Sequence, residues 1–123
     1  MFHEIIIVGA GASGLMAAIT AKDSGADVAI LEGSSRVGTK ILTTGNGRCN
    51  ITNTKTNLHR YHSNNKLFFK DALTRFTYKN TITFFETLGL PLTELDDGKM
   101  YPLSLQASSV LDILRMAIDD RSI

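Results

Sequence analysis

A chain of 123 residues with 43% apolar content has room for one small domain with its own core. Its formal net charge of +1 gives no whole-chain field that would draw it to nucleic acid or to anionic lipid. The single cysteine, Cys49, excludes an internal disulfide framework and fits a reducing compartment.

Charge is unevenly spread. No acid occurs from Gly33 to Lys70, whereas Arg36, Lys40, Arg48, Lys55, Arg60, Lys66 and Lys70 are basic. A solvated loop explains such a run as readily as a binding surface does. The apolar stretch from Ile5 to Ala21 lacks a basic leader, is broken by Gly9, Gly11 and Gly14, and gives way to Lys22 and Asp23. It falls short of the roughly 20 apolar residues that a membrane-spanning helix needs. A soluble, cytoplasmic protein is expected, with no membrane partner.

His3 to Val8 is a β-branched apolar run bounded by glycine, the pattern of a buried parallel strand. Ala12 to Ser24 follows as a helix with Leu15, Met16 and Ile19 on one side and Gly25 to stop it. Asp27 to Leu31 is a second strand, giving a β-α-β start. Gly33 to Ser63 shows no regular period and is dense in turn-forming residues. So long a stretch without structure is uncommon in a compact domain and is usually functional or disordered. Two helices are expected next, one carrying Phe69, Ala72, Leu73 and Phe76 at helical spacing, the other Ile82, Phe85 and Leu88 before Gly89 and Pro91. Their phenylalanines are expected in the core. Thr93 to Tyr101 is expected as a hairpin turning at Asp96-Asp97-Gly98 and closed by Pro102. A last helix runs from Gln106 to Ile118, with Val110, Leu114, Ala117 and Ile118 on one face.

Gly9-Ala10-Gly11-Ala12-Ser13-Gly14 is G-x-G-x-x-G. Alone the string is weak, but here it leaves a strand, opens a helix, and is followed by an acid, Glu32, ending the next strand. Gly9 lets the chain turn off the strand, Gly11 lets a pyrophosphate approach the backbone, and Gly14 lets helix and strand pack closely. The helix start, including Ala12 and Ser13, offers free N–H groups and the positive end of its dipole to phosphate. Glu32 can accept bonds from the adenosine ribose and would disfavour the 2′-phosphate of NADP. A glycine-rich turn that binds nothing is the plain alternative, and four features agreeing in register argue against it.

FAD and NAD share this fingerprint, and the following loop favours FAD. A long, acid-free, glycine-rich and basic excursion suits the longer reach of that cofactor. Within the loop stand Ser35-Arg36-Val37-Gly38-Thr39-Lys40 and Thr44-Gly45-Asn46-Gly47-Arg48-Cys49-Asn50-Ile51-Thr52-Asn53. At these residues the sequence resembles bacterial flavoproteins of the aminoacetone oxidase-like, or BaiN-type, NAD(P)/FAD-dependent family. That family carries the same fingerprint, R-x-G-x-K, and a signature close to G-x-G-R-C-N-x-T-N. The likeness continues through Phe84 to Leu90 and Asp96 to Ser104, so it covers essentially the whole chain.

The resemblance implies that Arg36, Gly38, Lys40, Gly45, Gly47, Arg48, Cys49 and Asn50 help form the FAD site with the phosphate-binding glycines and Glu32. Thr43-Thr44 departs from the serine or glycine that relatives often have there. Family members also continue beyond this length, with further sheet strands and an inserted substrate domain. Two parallel strands alone make a poor sheet. The chain is therefore expected to be the N-terminal part of an FAD-binding domain, a partial Rossmann-like α/β fold, either truncated or a piece of a longer chain.

Other residues attract weaker readings. Arg48 beside Cys49 could make the thiol reactive, although a lone cysteine in a tight loop is more often packed. His59 and His62 lack further ligands at metal-binding spacing, so no metal is expected. Asp96 and Asp97 suit a turn, and Asp119 and Asp120 a solvated helix end. No catalytic residue can be named. The function expected is that of an FAD-dependent oxidoreductase, or part of one, acting on a small organic substrate by enone reduction or amine oxidation. A non-catalytic ADP-binding fragment is the alternative. A flavoprotein associated with tRNA is a third reading, disfavoured because no aromatic residues interleave the basic span as a stacking platform; no nucleic-acid partner is expected.

Overall fold

The computed structural model describes residues 2–65 and 67–123. Strand β1 (Ile5–Val8), helix α1 (Ala12–Asp23) and strand β2 (Val28–Leu31) form the opening unit. The strands pair in parallel, Ile5 opposite Val28 and Val8 opposite Leu31. Gly9 N donates to Leu31 O at 2.7 Å, carrying the pairing into the turn. The positive φ of Gly9, 96°, is one that side-chain-bearing residues rarely adopt, so glycine is what lets the chain leave the strand here. Both strands are shorter at their N-terminal ends than the apolar pattern suggests, beginning at Ile5 and Val28.

Alternation across the strands places Val28 and Ile30 against the core, and Ile6, Val8 and Leu31 on the opposite face. The second set is exposed, Val8 by 84%.

The long loop is not structureless. After Gly38, residues Thr39–Gly47 form 3-10 turns, with non-helical backbone at Thr44, Gly45 and Asn46. The ordering partner lies far along the chain, in helix α4 (Ala107–Asp120). Gly38 packs so closely on Leu111 that a Cβ there would collide with the leucine side chain, and Ile41 is buried beside it.

Strand β3 (Thr52–Asn53) follows, then a short 3-10 turn at Leu58–Arg60, helix α2 (Lys70–Arg75) and helix α3 (Tyr78–Thr87). Thr77 opens α3 with a capping box: Asn80 Oδ1 accepts from the Thr77 N–H at 2.8 Å. Strands β4 (Leu92–Glu94) and β5 (Lys99–Pro102) are the expected antiparallel hairpin, joined through Asp96–Gly98. β3, which the sequence reading left in the loop, pairs with the other side of β5, Thr52 opposite Met100. Gly98 sits under Thr54 and Asn53, where a Cβ would meet Thr54 Oγ1 at 2.6 Å.

The core lies between α1, the 3-10 run and α4. Leu15, Ile19, Val28 and Leu114 are essentially inaccessible to solvent. The expected face of the last helix is buried throughout, and Ala107 and Leu111 extend it. The expectation for the phenylalanines needs correction. Phe85 is buried, but Phe76 is 42% exposed at the end of a six-residue helix, and Phe69 stacks at a tilt on Tyr61, ring centroids 5.1 Å apart. Helical spacing shows that these rings share a face, not that another element covers it. Among the described residues, no helix is long and apolar enough to cross a membrane.

Candidate dinucleotide site

Gly11 caps α1 without a side-chain hydrogen bond, and no acid stands in the first helical turn. The leading N–H groups of the helix are orphans by geometry, since no preceding turn can accept from them. Around Gly9 and Gly11 a Cβ would meet nothing within 4 Å, so the turn is open at both positions, next to the helix start. Gly14 differs: a Cβ there would strike the carbonyl oxygen of Gly9. Its missing side chain is what brings helix and strand together. These three glycines therefore do separate jobs, with Gly11 the one facing open space at a normal φ of −76°.

Glu32 closes the site from β2. Its Oε2 accepts from the Ala10 N–H at 2.7 Å, and its Oε1 accepts from the Ser34 N–H at 2.8 Å and the Ser34 hydroxyl at 2.9 Å. The Ala10 bond, then those from Ser34, hold the carboxyl down at about 2 from an ordinary 4.5. The group stays ionised and anchored beside the glycine turn, where its remaining lone pairs face solvent. Ser34, which sequence reasoning passed over, thus joins Ala10 in fixing the acid, through two of its hydrogen bonds.

The structure distributes the loop residues among different roles. Cys49 and Asn50 join Ala12 and Ser13 around a cavity of about 410 Å³ beside the helix start. Met16, Ile41 and Phe84 complete much of its apolar wall, and of these Met16 and Ile41 lie outside the motifs. Gly38 serves packing on α4. Gly45 has φ 54°, and a Cβ would stand 2.6 Å from the Asn50 N–H. This close backbone approach sets Asn50 at the cavity. Gly47 also has positive φ, at 80°, and Cys49 adopts 58°, with its N–H donating to Thr44 O at 3.0 Å. Cys49 is buried. The Arg48 guanidinium lies over the Tyr101 ring, 5.0 Å from its centroid, a cation–π contact that pins the loop to β5. Arg36 and Lys40 are exposed and line no described cavity.

A parallel βαβ start, an open glycine turn against a helix N-terminus, and an ionised acid at the end of the second strand define a Rossmann-type dinucleotide-binding unit. The chain belongs to the HI0933-like protein Rossmann domain family, whose match spans residues 3–123. It is 46% identical over 118 residues to the 3-dehydro-bile acid delta(4,6)-reductase of Clostridium scindens, covering 94% of this chain and 29% of that protein. It is 32% identical over 118 residues to a ribosomal RNA dihydrouridine synthase of Haemophilus influenzae, covering 96% of this chain and 29% of the relative. The ribosomal RNA dihydrouridine synthase of Escherichia coli is 34% identical over 111 residues, covering 90% and 28%. The chain thus spans less than a third of the length of these curated relatives.

Proposed function

We propose that this chain is the FAD-binding part of a flavin-dependent oxidoreductase that acts on a small organic substrate. The observation that carries the reading is that two spaces flank the start of α1. The turn is open at Gly9 and Gly11, as a pyrophosphate needs, and the next residues, Ala12 and Ser13, line a cavity together with Cys49 and Asn50. A dinucleotide laid on the turn then has an apolar chamber for a ring at its far end.

The residues fit FAD by their donor chemistry. The α1 N-terminus offers unpartnered N–H groups to phosphate, and Glu32 is held ionised to accept from ribose hydroxyls. When bound, a flavin supplies the redox chemistry, while the protein supplies binding, orientation and exclusion of water. Met16, Ile41 and Phe84 would keep water from the ring, and the backbone held by Gly45 and Gly47 would orient its polar edge through Asn50. Reduction of a conjugated double bond is the reaction the reading favours. The relative with 46% identity is named as a delta(4,6)-reductase.

Titration of FAD into the purified chain, followed by quenching of flavin fluorescence, tests this reading. Saturable FAD binding that ADP displaces only at higher concentration supports it. Equal affinity for ADP and FAD would leave only the non-catalytic nucleotide-binding reading.

A further inference from the structure

We infer that Ser34 is a specificity-determining residue of the adenosine ribose site. Its hydroxyl turns from Glu32 to the Arg36 carbonyl when the ribose arrives, which lets Glu32 accept from both ribose hydroxyls at once. This rests on the reading that an adenosine ribose lies on Glu32, which FAD and ADP share, and adds to it how the acid is freed for that ligand.

Donors and acceptors at Glu32 are unequally matched. An ionised carboxylate only accepts, at about four lone-pair positions on its two oxygens. Oε1 already takes two bonds, from the Ser34 N–H at 2.8 Å and the Ser34 hydroxyl at 2.9 Å. Oε2 takes one, from the Ala10 N–H at 2.7 Å. The position still open is therefore on Oε2. It serves one ribose hydroxyl, whereas the ribose presents two neighbouring ones. The Ala10 and Ser34 N–H donors belong to the backbone, in the glycine turn and in the bend after β2, and cannot leave without moving the chain. The Ser34 hydroxyl can leave by rotation of its own side chain.

It also has a second acceptor within reach. Ser34 Oγ stands 2.8 Å from Arg36 O as well as 2.9 Å from Glu32 Oε1. A serine hydroxyl carries one proton, so it serves one of these acceptors fully at a time. In the free chain the charged carboxylate is the stronger acceptor and holds it. A ribose hydroxyl that donates to Oε1 replaces that bond in kind, while the Ser34 O–H takes up the Arg36 carbonyl. Every group stays paired, and the exchange costs only the difference between a charged and a neutral acceptor. Glu32 and Ser34 are both exposed, so a ligand meets them without rearrangement of the fold.

The test is an NMR titration of the full chain, isotope-labelled, with ADP, 2′-deoxy-ADP and 3′-deoxy-ADP. Loss of either ribose hydroxyl should weaken binding at least about threefold, because each donates to an ionised acceptor. Ser34→Ala has the second position on Glu32 already open, and should bind ADP about twofold to fivefold more tightly. Saturation with ADP should move the carbonyl carbon signal of Arg36 in the unaltered chain far more than in Ser34→Ala. A serine that only braces Glu32 gives the opposite pattern. Weaker ADP binding by Ser34→Ala, one deoxynucleotide binding as tightly as ADP, or equal Arg36 shifts in both chains overturns the switch and leaves the ribose site standing. No binding of ADP, or ADP affinity unchanged in Glu32→Gln, overturns the ribose site and the switch together.

Discussion

The Glu32 carboxylate accepts a hydrogen bond of 2.7 Å from the backbone N–H of Ala10, joining the end of β2 to the middle of the glycine turn. The acid that would hold a ribose is therefore also a brace for the turn that would hold the phosphates. Glu32→Gln loses the charge and one acceptor oxygen while keeping the shape. Affinity for FAD should fall about tenfold or more, as expected when a charge-assisted acceptor is removed. Fluorescence titration of the variant measures this, and unchanged affinity would mean that Glu32 does not touch the ligand.

The same bonds set a pH dependence. Glu32 is depressed in the folded chain to about 2 from 4.5, chiefly by the Ala10 N–H. Its contribution to stability is therefore complete above pH 4.5 and is lost as pH falls toward 2. Asp23, lowered by its hydrogen bond from Arg121, and Asp97, lowered by Lys55, act in the same direction. The urea midpoint should drop between pH 4.5 and 2, and less steeply in Glu32→Gln. Parallel profiles for the two proteins would show that the carboxylate is not held as described.

Two glycines of the fingerprint should separate folding from binding. Gly11→Ala puts a methyl into open space at an ordinary φ, so stability should change by no more than about 1 kcal/mol, the weaker capping of alanine. The same methyl occupies the phosphate approach, and FAD affinity should fall by at least about tenfold. Gly14→Ala meets the Gly9 carbonyl instead and should destabilise the chain by about 1–3 kcal/mol. Urea denaturation and FAD titration of both variants check the contrast.

The opening βαβ unit was legible in the sequence because its determinants are local: an apolar run, three spaced glycines and an acid all act within one strand–helix–strand. The order in the following loop was not. The run Thr39–Gly47 is packed on α4 through Gly38, which lies against Leu111, and Ile41, which shares its core cluster, contacts between residues far apart in sequence. β3 escaped notice for a related reason, since two residues carry no period and owe their conformation to Met100 and Lys99. At the site, the glycines and Glu32 have a recognisable spacing. Ser34 and the cavity walls at Met16, Thr81 and Phe84 come from separate elements that only the tertiary fold brings together.

Helix α4 should carry much of the loop's order as well as its own burial. Leu114 is 1% exposed in the middle of the core. Leu114→Ala should cost about 2–5 kcal/mol. Because α4 backs both the 3-10 run and the cavity, hydrogen exchange in Thr39–Gly47 should rise along with that in α4. A rise confined to α4 would contradict the proposed dependence of the loop on the helix.

The most direct test of the central claim is the absorption spectrum of the purified chain after saturation with FAD and removal of excess, with the released ligand identified on denaturation. The account predicts retained flavin absorbance, release of intact FAD in near one-to-one ratio, and loss of that absorbance in Gly11→Ala. A folded chain that retains no flavin would contradict the assignment of the glycine turn and its adjoining cavity to FAD.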